Sequence, residues 1–189
     1  MSSRDDLVRL LAERSVKTGN FVLASGKEST VYVDARLTTM SPDGLNLIGQ
    51  LGLDTIVMAG WKPEAVGGLT LGADPIAYAI SYASAGLESP LRAFTVRKQA
   101  KSHGTGNVIE GPFRSGDKVV IVEDVITTGS SALRAIDAVE SAGGIIVGVL
   151  ALVDREEGGR EAIQARGHPA AAITRVTEVI ELQRRQLAL

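Results

Sequence analysis

Two adjacent acids followed by a hydroxyl-rich turn form the most informative stretch of this 189-residue chain. Glu123 and Asp124 directly follow residues 119–122, a continuous apolar run that predicts a fully buried strand. Residues 127–131 are small and mostly hydroxylated, and the segment after them has the apolar spacing of an amphipathic helix. We therefore expect the two acids at the carboxyl end of a strand, beside a polar turn that starts a helix.

This turn is suited to bind a phosphate next to a pair of hydroxyl groups. Backbone N–H groups at a helix N-terminus converge on one point, and the helix dipole adds positive potential there. Ribose 5-phosphate carries both groups, because its vicinal hydroxyls can donate to carboxylates in charged bonds roughly twice as strong as neutral ones. No lysine follows Gly129, which excludes a Walker A loop, and the stretch is not a GxGxxG dinucleotide turn. The alternative is an ordinary strand, loop and helix whose acids are solvated or cap the helix.

Length and composition predict a single α/β domain over residues 1–189, with 44% hydrophobic residues to build its core. The 20 basic and 22 acidic residues give a net charge of -2, which does not favour nucleic acid or an acidic membrane as a partner. The absence of cysteine excludes disulfides, thiolate nucleophiles and thiolate metal sites. The charged N-terminus lacks the apolar region of a signal peptide, and no apolar run approaches a membrane span of roughly 20 residues. We therefore expect a cytoplasmic protein.

The stretch KVVIVEDVITTGSS, residues 118–131, resembles the signature with which type I phosphoribosyltransferases bind 5-phosphoribosyl 1-diphosphate (PRPP). The resemblance implies that Glu123 and Asp124 bind the ribose hydroxyls and that backbone amides of residues 127–131 bind the 5′-phosphate. It also implies the type I phosphoribosyltransferase fold. Strands and helices alternate from residue 42 onward, which separately predicts an α/β fold with a central, mainly parallel sheet flanked by helices.

The N-terminal residues 1–37 are expected to cover the PRPP-binding core of residues 38–189. Residues 5–17 have the pattern of an amphipathic helix, while residues 21–24 and 30–37 predict the two strands of a β-hairpin. From periodicity alone, this is a hairpin that covers the edge of the sheet.

The segment SGKES, residues 25–29, followed by Tyr32 and Asp34, is similar to the N-terminal hood of the orotate phosphoribosyltransferases. In that family, the hood lies over the base. Some members carry a lysine before the Ser-Gly pair, where this chain has Ala24, so a contact from that lysine is not carried over. The resemblance implies an N-terminal helix-hairpin hood.

A second strand, loop and helix unit begins at residues 65–71, a predicted buried strand. Residues 72–75 predict a turn in which Asp74 can cap the next helix, and Ser41 with Pro42 predicts the start of an earlier one. In the family, the glycine-rich turn holds the pyrophosphate of PRPP. Glycines at a strand-to-helix turn also occur for geometric reasons alone.

A basic loop occupies residues 97–111 and contains Arg97, Lys98, Lys101 and His103. Such a mobile loop can close over a diphosphate, exclude water and stabilise the leaving group, although a charged loop can also be merely solvated. The spacing of its basic residues resembles the catalytic loop of the orotate phosphoribosyltransferases. In that family the loop reaches across a dimer, which implies a homodimer with the 97–111 loop shared between subunits.

A further buried strand is predicted over residues 145–153, and Asp154 and Arg155 follow it. This pair lies at the edge of the sheet where α/β proteins bind ligands, although a local ion pair is the simplest role for it. The orotate phosphoribosyltransferases have an arginine here that meets the base. The resemblance therefore implies that Arg155, together with Thr127, binds orotate.

The resemblance implies transfer of the phosphoribosyl group from PRPP to N1 of orotate, giving orotidine 5′-monophosphate and pyrophosphate in pyrimidine (UMP) biosynthesis. Departure of pyrophosphate leaves an oxocarbenium-like ribose, so alignment of the reactants and stabilisation of the leaving group matter more than a protein nucleophile. Mg²⁺ is the implied cofactor, held mainly by substrate and water rather than by direct protein ligands. Two alternatives remain: transfer to a purine or uracil, and a non-catalytic regulator that senses PRPP.

The implied site residues fall into three sets. Those implied to be catalytic are Lys101, His103 and Asp124. Those implied to bind PRPP are Arg97, Lys98, Lys101, His103, Glu123, Asp124, Val125, Ile126, Thr127, Thr128, Gly129, Ser130 and Ser131. Those implied to bind orotate are Thr127 and Arg155.

Overall fold

A computed structural model describes residues 3–22, 28–99 and 108–187. Within these ranges the strands are β1 (Val16–Val22), β2 (Glu28–Val33), β3 (Ala65–Leu69), β4 (Arg92–Val96), β5 (Ile109–Glu110), β6 (Lys118–Ile126), β7 (Ile145–Asp154) and β8 (Ala170–Arg175). The helices are α1 (Ser3–Arg14), α2 (Arg36–Thr39), α3 (Pro42–Met58), α4 (Ala73–Ala83), α5 (Ser130–Ser141), α6 (Gly159–Ala165) and α7 (Val176–Leu187), with a short 3-10 helix at Ser84–Gly86.

The core is a six-stranded sheet in the order β5-β4-β3-β6-β7-β8, parallel except for β5, which runs antiparallel to β4. Its central strand β6 is buried on both faces. Val120 and Val122 pack in the cluster that contains side chains of α1, α3, α4 and α7, whereas Val119 and Ile121 pack in the cluster with α5 and α6. This two-sided burial accounts for the continuous apolar run in the sequence. The predicted mainly parallel sheet flanked by helices is confirmed.

The start of α3 agrees with the sequence. The Ser41 hydroxyl accepts a hydrogen bond from the backbone N–H of Gly44 at 3.2 Å, and Pro42 occupies the first helical position. A proline is tolerated there because its missing N–H has no partner within the helix.

The N-terminal helix α1 contacts α7 from the opposite end of the chain. Arg4 forms an ion pair with Glu178, and the side-chain amide of Gln183 donates to the backbone oxygens of Ala12 and Val16 at 2.5 and 2.7 Å. These bonds anchor the base of the N-terminal segment to the core.

The hairpin of β1 and β2 is antiparallel, as predicted, but its strands start and end differently. The helix predicted over residues 5–17 is too long, because Val16 enters β1 and pairs with Val33. The strand predicted over residues 30–37 is also too long, since the side chain of Asp34 accepts a backbone N–H two residues later at 3.2 Å and starts α2. Strand pairing and a local side-chain bond thus override the apolar pattern.

Two further sequence predictions concern chain segments near the ends of the described ranges. The sequence predicts a terminal turn capped by Thr177, but Thr177 lies inside the 12-residue helix α7. The predicted hairpin turn at residues 25–27 and the end of the first predicted strand at residues 23–24 lie outside the described residues. Across the described part of the chain, we find no helix whose length and apolar character would let it span a membrane.

Candidate active site

An open pocket of about 350 Å³ lies at the carboxyl ends of β3, β6 and β7. This is the edge where open α/β sheets bind ligands. The hairpin, the segment that leads into α2, the loop after β3 and the turn after β6 each form part of its wall. The lining residues are Tyr32, Val33, Asp34, Ala35, Arg36, Leu69, Thr70, Leu71, Gly72, Lys98, Glu123, Asp124, Val125, Thr127, Ser131 and Arg155.

The acid pair is part of this wall, because β6 continues through both acids to Ile126. Glu123 is only 7% exposed, and its Oε2 has no hydrogen-bond partner among the described residues. Burial raises the pKa of Glu123 well above its ordinary value, and the Asp124 carboxylate raises it further, while Lys98 lowers it. Asp124 accepts a hydrogen bond from the N–H of Val125 at 2.8 Å. The wall therefore contains a buried carboxyl group, with one oxygen not hydrogen-bonded within the described residues, next to a second carboxylate.

The turn after β6 encloses a small cavity of about 20 Å³, lined by Glu123, Val125, Ile126, Thr127, Gly129, Ser130, Ser131 and Ala132. Gly129 has φ +80° and directly precedes α5, so the chain enters the helix through a left-handed residue. A Cβ added to Gly129 would lie 2.8 Å from the backbone oxygen of Gly159. The turn thus has the form of an anion site at a helix N-terminus. Thr128 is exposed and lines neither cavity.

The loop between β3 and α4 faces this acid pair. A Cβ added to Gly72 would clash with the carboxylate of Asp124, so only glycine allows this approach. The sequence predicts that Asp74 caps α4, and this prediction is wrong. The N-cap residue is Gly72, and the Asp74 carboxylate instead accepts hydrogen bonds from the hydroxyls of Thr70 at 2.7 Å and Thr95 at 2.9 Å.

The predicted basic residues reach the pocket unequally. Lys98 lines it. Arg97 does not line it in the described part of the chain, and its guanidinium lies 3.5 Å from the carboxylate of Glu110. Lys101 and His103 lie outside the described residues.

Arg155, which follows β7, also lines the pocket, and its side chain is 7% exposed. Its Nη2 lies 2.7 Å from Oε1 of Glu157 and donates to the hydroxyl of Ser29 at 3.2 Å. Its Nε is buried and has no hydrogen-bond partner among the described residues. Arg155 therefore links the hairpin to the core and keeps one buried donor without a partner among the described residues. It is not paired with Asp154, which accepts the N–H of Glu156 at 2.8 Å.

Sequence reasoning missed several residues of the wall, among them Arg36, Thr70 and Leu71. Arg36 pairs with Asp34 at 2.8 Å, and this hydrogen bond lowers the pKa of Asp34. The signal for Arg36 was its position two residues after Asp34. The strand predicted over residues 65–71 is too long, because β3 ends at Leu69 and Thr70 and Leu71 lie in the loop after it. Their position in the predicted strand gave no indication of a ligand.

A family model described as phosphoribosyl transferase domain matches residues 46–166. The orotate phosphoribosyltransferase of Aquifex aeolicus (strain VF5) is 45% identical over 183 residues, which cover 95% of this chain and 99% of that protein. This chain belongs to the orotate phosphoribosyltransferase family.

Solved structures of the Mycobacterium tuberculosis H37Rv orotate phosphoribosyltransferase resemble this chain throughout. The complex with Fe(III) dicitrate is 42% identical with a TM-score of 0.82, and covers 94% of this chain and 99% of that one. The complex with PRPP is 39% identical with a TM-score of 0.79 and the same coverage. The predicted type I phosphoribosyltransferase fold is confirmed for this orotate phosphoribosyltransferase family member.

Within the ranges that the structure describes, this chain has no group of three or more His, Cys, Asp or Glu side chains able to hold a metal ion. The pocket wall nevertheless carries the carboxylates of Glu123, Asp124 and Asp34. Hard oxygen donors of this kind fit Mg²⁺, which usually binds proteins through one or two carboxylates and retains several waters.

Proposed function

We propose that this chain transfers the phosphoribosyl group of PRPP to N1 of orotate, producing orotidine 5′-monophosphate and pyrophosphate. The observation that carries the proposal is the juxtaposition within one pocket of the acid pair, the β6–α5 turn and a buried arginine. A phosphate, a diol and a planar anionic base require these three kinds of partner.

The phosphate turn and the acid pair hold the ribose phosphate. Backbone N–H groups of residues 127–131 receive the 5′-phosphate at the positive end of α5. Asp124 accepts hydrogen bonds from the ribose hydroxyls. The raised pKa of Glu123 favours its protonated form, and a protonated carboxyl group can donate to a ribose oxygen as well as accept from one. The geometry of the ribose is thereby fixed before the bond to pyrophosphate breaks.

The reaction needs charge stabilisation more than a nucleophile. Lys98 stands at the pocket and offsets the charge of the departing diphosphate. We assign Arg97, Lys101 and His103 to the same task when the 97–111 loop closes, with Lys101 as the principal residue. Lys101→Ala is therefore expected to lower turnover far more than stability, and near-normal turnover in this variant would count against the role.

Mg²⁺ is the proposed cofactor, held mainly by the substrate and water rather than by direct protein ligands. When bound, the ion neutralises diphosphate charge. At the base end, the guanidinium group of Arg155 can donate to an oxygen of orotate, and Thr127 completes this contact. Bidentate recognition of planar carboxylate groups is a property of arginine rather than lysine.

We further infer a single domain, with the hood in residues 1–37 and the PRPP-binding core in residues 38–189. The family match over residues 46–166 and the anchoring of α1 by α7 support this division. The proposed assembly is a homodimer that shares the 97–111 loop between subunits. The proposed compartment is the cytoplasm, and the cysteine-free composition supports it.

The test is the loss of orotate absorbance on mixing the protein with PRPP and Mg²⁺. Uracil, hypoxanthine and guanine are assayed in parallel, with pyrophosphate release as the common readout. Turnover with orotate alone is expected. Pyrophosphate release only with a purine or uracil would overturn the base assignment, and PRPP binding without turnover would favour a regulator.

A further inference from the structure

Asp74 is a buried carboxylate that lies behind the pocket rather than in its wall. It is 9% exposed, in the first turn of α4, where a negative charge interacts favourably with the helix dipole. Both of its oxygens are used: Oδ2 accepts from Thr70 at 2.7 Å, and Oδ1 accepts from Thr95 at 2.9 Å. Such a fully paired buried group fixes the side chains around it.

The two threonines occupy different environments. Thr70 lines the pocket, and its backbone N–H donates to the oxygen of Val96 at 2.8 Å. Thr95 lies on β4, away from the pocket lining, and its hydroxyl is 3.0 Å from that of Tyr78. The same carboxylate therefore holds one residue of the wall and one residue of the scaffold.

The loop that Asp74 holds is in close contact with the acid pair. Two residues after Thr70, Gly72 packs against the carboxylate of Asp124 so closely that a Cβ would clash. The loop is thus fixed on one side by the hydrogen bond between Thr70 and Asp74, and on the other side by the close contact of Gly72 with Asp124. Movement of Thr70 would change the space between these two boundaries.

We propose that Asp74 is a positioning residue for PRPP, which acts by fixing the Thr70 hydroxyl and with it the pocket wall formed by residues 70–72. The inference deepens the proposed function and depends on it, since the family resemblance assigns the pyrophosphate of PRPP to the glycine-rich turn that starts at Gly72 in this wall. Asp74 does not touch the substrate. Asp74 improves PRPP binding because the wall already has its binding geometry. No binding free energy is then lost in ordering the wall.

The pair Thr70→Val and Thr95→Val provides a matched test. Each variant removes one hydroxyl from the same carboxylate, and similar reductions in the midpoint of thermal unfolding are expected. Thr70→Val should raise KM for PRPP about tenfold, which corresponds to 1.4 kcal/mol, and Thr95→Val by less than about twofold. KM for orotate should remain unchanged in both.

Asp74→Ala separates positioning from direct contact by Thr70. It should raise KM for PRPP about as much as Thr70→Val, and the double variant should be no worse than either single one. If Asp74→Ala does not fold, Asp74→Asn replaces it, with an expected KM between wild type and Thr70→Val because the amide is uncharged and must donate from its NH₂ group to one of the two hydroxyls. If Asp74 served folding alone, the KM for PRPP of the folded Asp74→Asn variant should equal that of wild type rather than take an intermediate value.

Several outcomes would overturn the proposal. These are an unchanged KM for PRPP in the folded Asp74 variant, an equal rise in Thr95→Val, or an equal rise in KM for orotate. Calorimetric titration of each variant with PRPP measures PRPP affinity directly, so this test does not require turnover with orotate or any other base. Absence of wild-type turnover with orotate would reject the proposed function, whereas unequal PRPP affinities among the variants would still support the role of Asp74.

Discussion

The phosphate end and the base end of the pocket are assembled in different ways. One continuous stretch, residues 123–131, supplies the acid pair and the turn at the phosphate end. At the base end, Arg155 and Ser29 meet although they are 126 positions apart in the chain. The phosphate end thus depends mainly on backbone shape, in residues 123–131 and in the glycines that pack closely there, while the base end depends on a few side-chain bonds between distant segments.

Gly129→Ala should have the largest effect, because it alters the backbone shape of the phosphate end. Alanine at φ +80° costs about 1–2 kcal/mol, and its Cβ would lie 2.8 Å from the Gly159 oxygen, so the turn must move. We expect KM for PRPP to rise by more than about tenfold. Gly167→Ala is the matched control, because Gly167 has φ +87° in open space. Steady-state kinetics with equal KM for PRPP in both variants would contradict this dependence.

Gly72→Ala should perturb the same end without backbone strain, since Gly72 has φ -65°. The added Cβ displaces the Asp124 carboxylate, so KM for PRPP should rise by about tenfold. The thermal midpoint should change little. Gly86→Ala, which adds a Cβ in open space, should leave both quantities unchanged. A normal PRPP affinity in Gly72→Ala would show that the acid tolerates displacement.

Glu123→Gln tests whether the carboxyl group of Glu123 raises or lowers the free energy of unfolding. Burial and Asp124 place the folded-state pKa of Glu123 above the unfolded value, so the folded state keeps a proton that the unfolded state has lost. Folded stability therefore falls as pH rises from about 4.3 through the folded pKa, with no loss below that window. Glutamine removes this loss, by about 1.4 kcal/mol for each unit of pKa elevation.

The expected result is a higher free energy of unfolding for Glu123→Gln at pH 8, little difference at pH 4, and weaker PRPP binding at both. Urea unfolding at the two pH values measures the first effect. Glu88→Gln, at an exposed position, serves as the control. A variant less stable than wild type at pH 8 would mean that Glu123 is ionised and well paired in the folded protein.

Ser29→Ala should have the smallest effect and should affect only the base end. It removes the hydroxyl that Arg155 contacts at 3.2 Å, a bond worth about 0.5–1.5 kcal/mol. KM for orotate should rise a few-fold, with KM for PRPP unchanged. Thr30→Ala, at the next and exposed position of β2, controls for general loosening of the hairpin. A parallel rise in KM for PRPP would show that the two ends are not independent.

The same difference explains what could be predicted from the sequence. The strand, acid pair and turn of residues 118–131 were predictable because apolar pattern, charge and glycine position all act within one segment. The end of α1 was not, because Val16 is recruited by pairing with Val33 rather than by its own neighbours. Asp74 was assigned to a cap for a similar reason: one of its two partners, Thr95, lies 21 positions away on β4. Long-range bonds leave no local signal.

The contact of α1 with α7 has a consequence for the order in which the molecule forms. Helix α1 leaves the ribosome before α7, yet it needs Glu178 and Gln183 of α7 to complete its bonds. During synthesis, the core sheet through β7 can assemble while α1 still has an incomplete docking site. Residues 1–37, the hood, are therefore synthesised before the core but dock completely only after α7 has formed. The base end of the pocket is thus completed after the phosphate end.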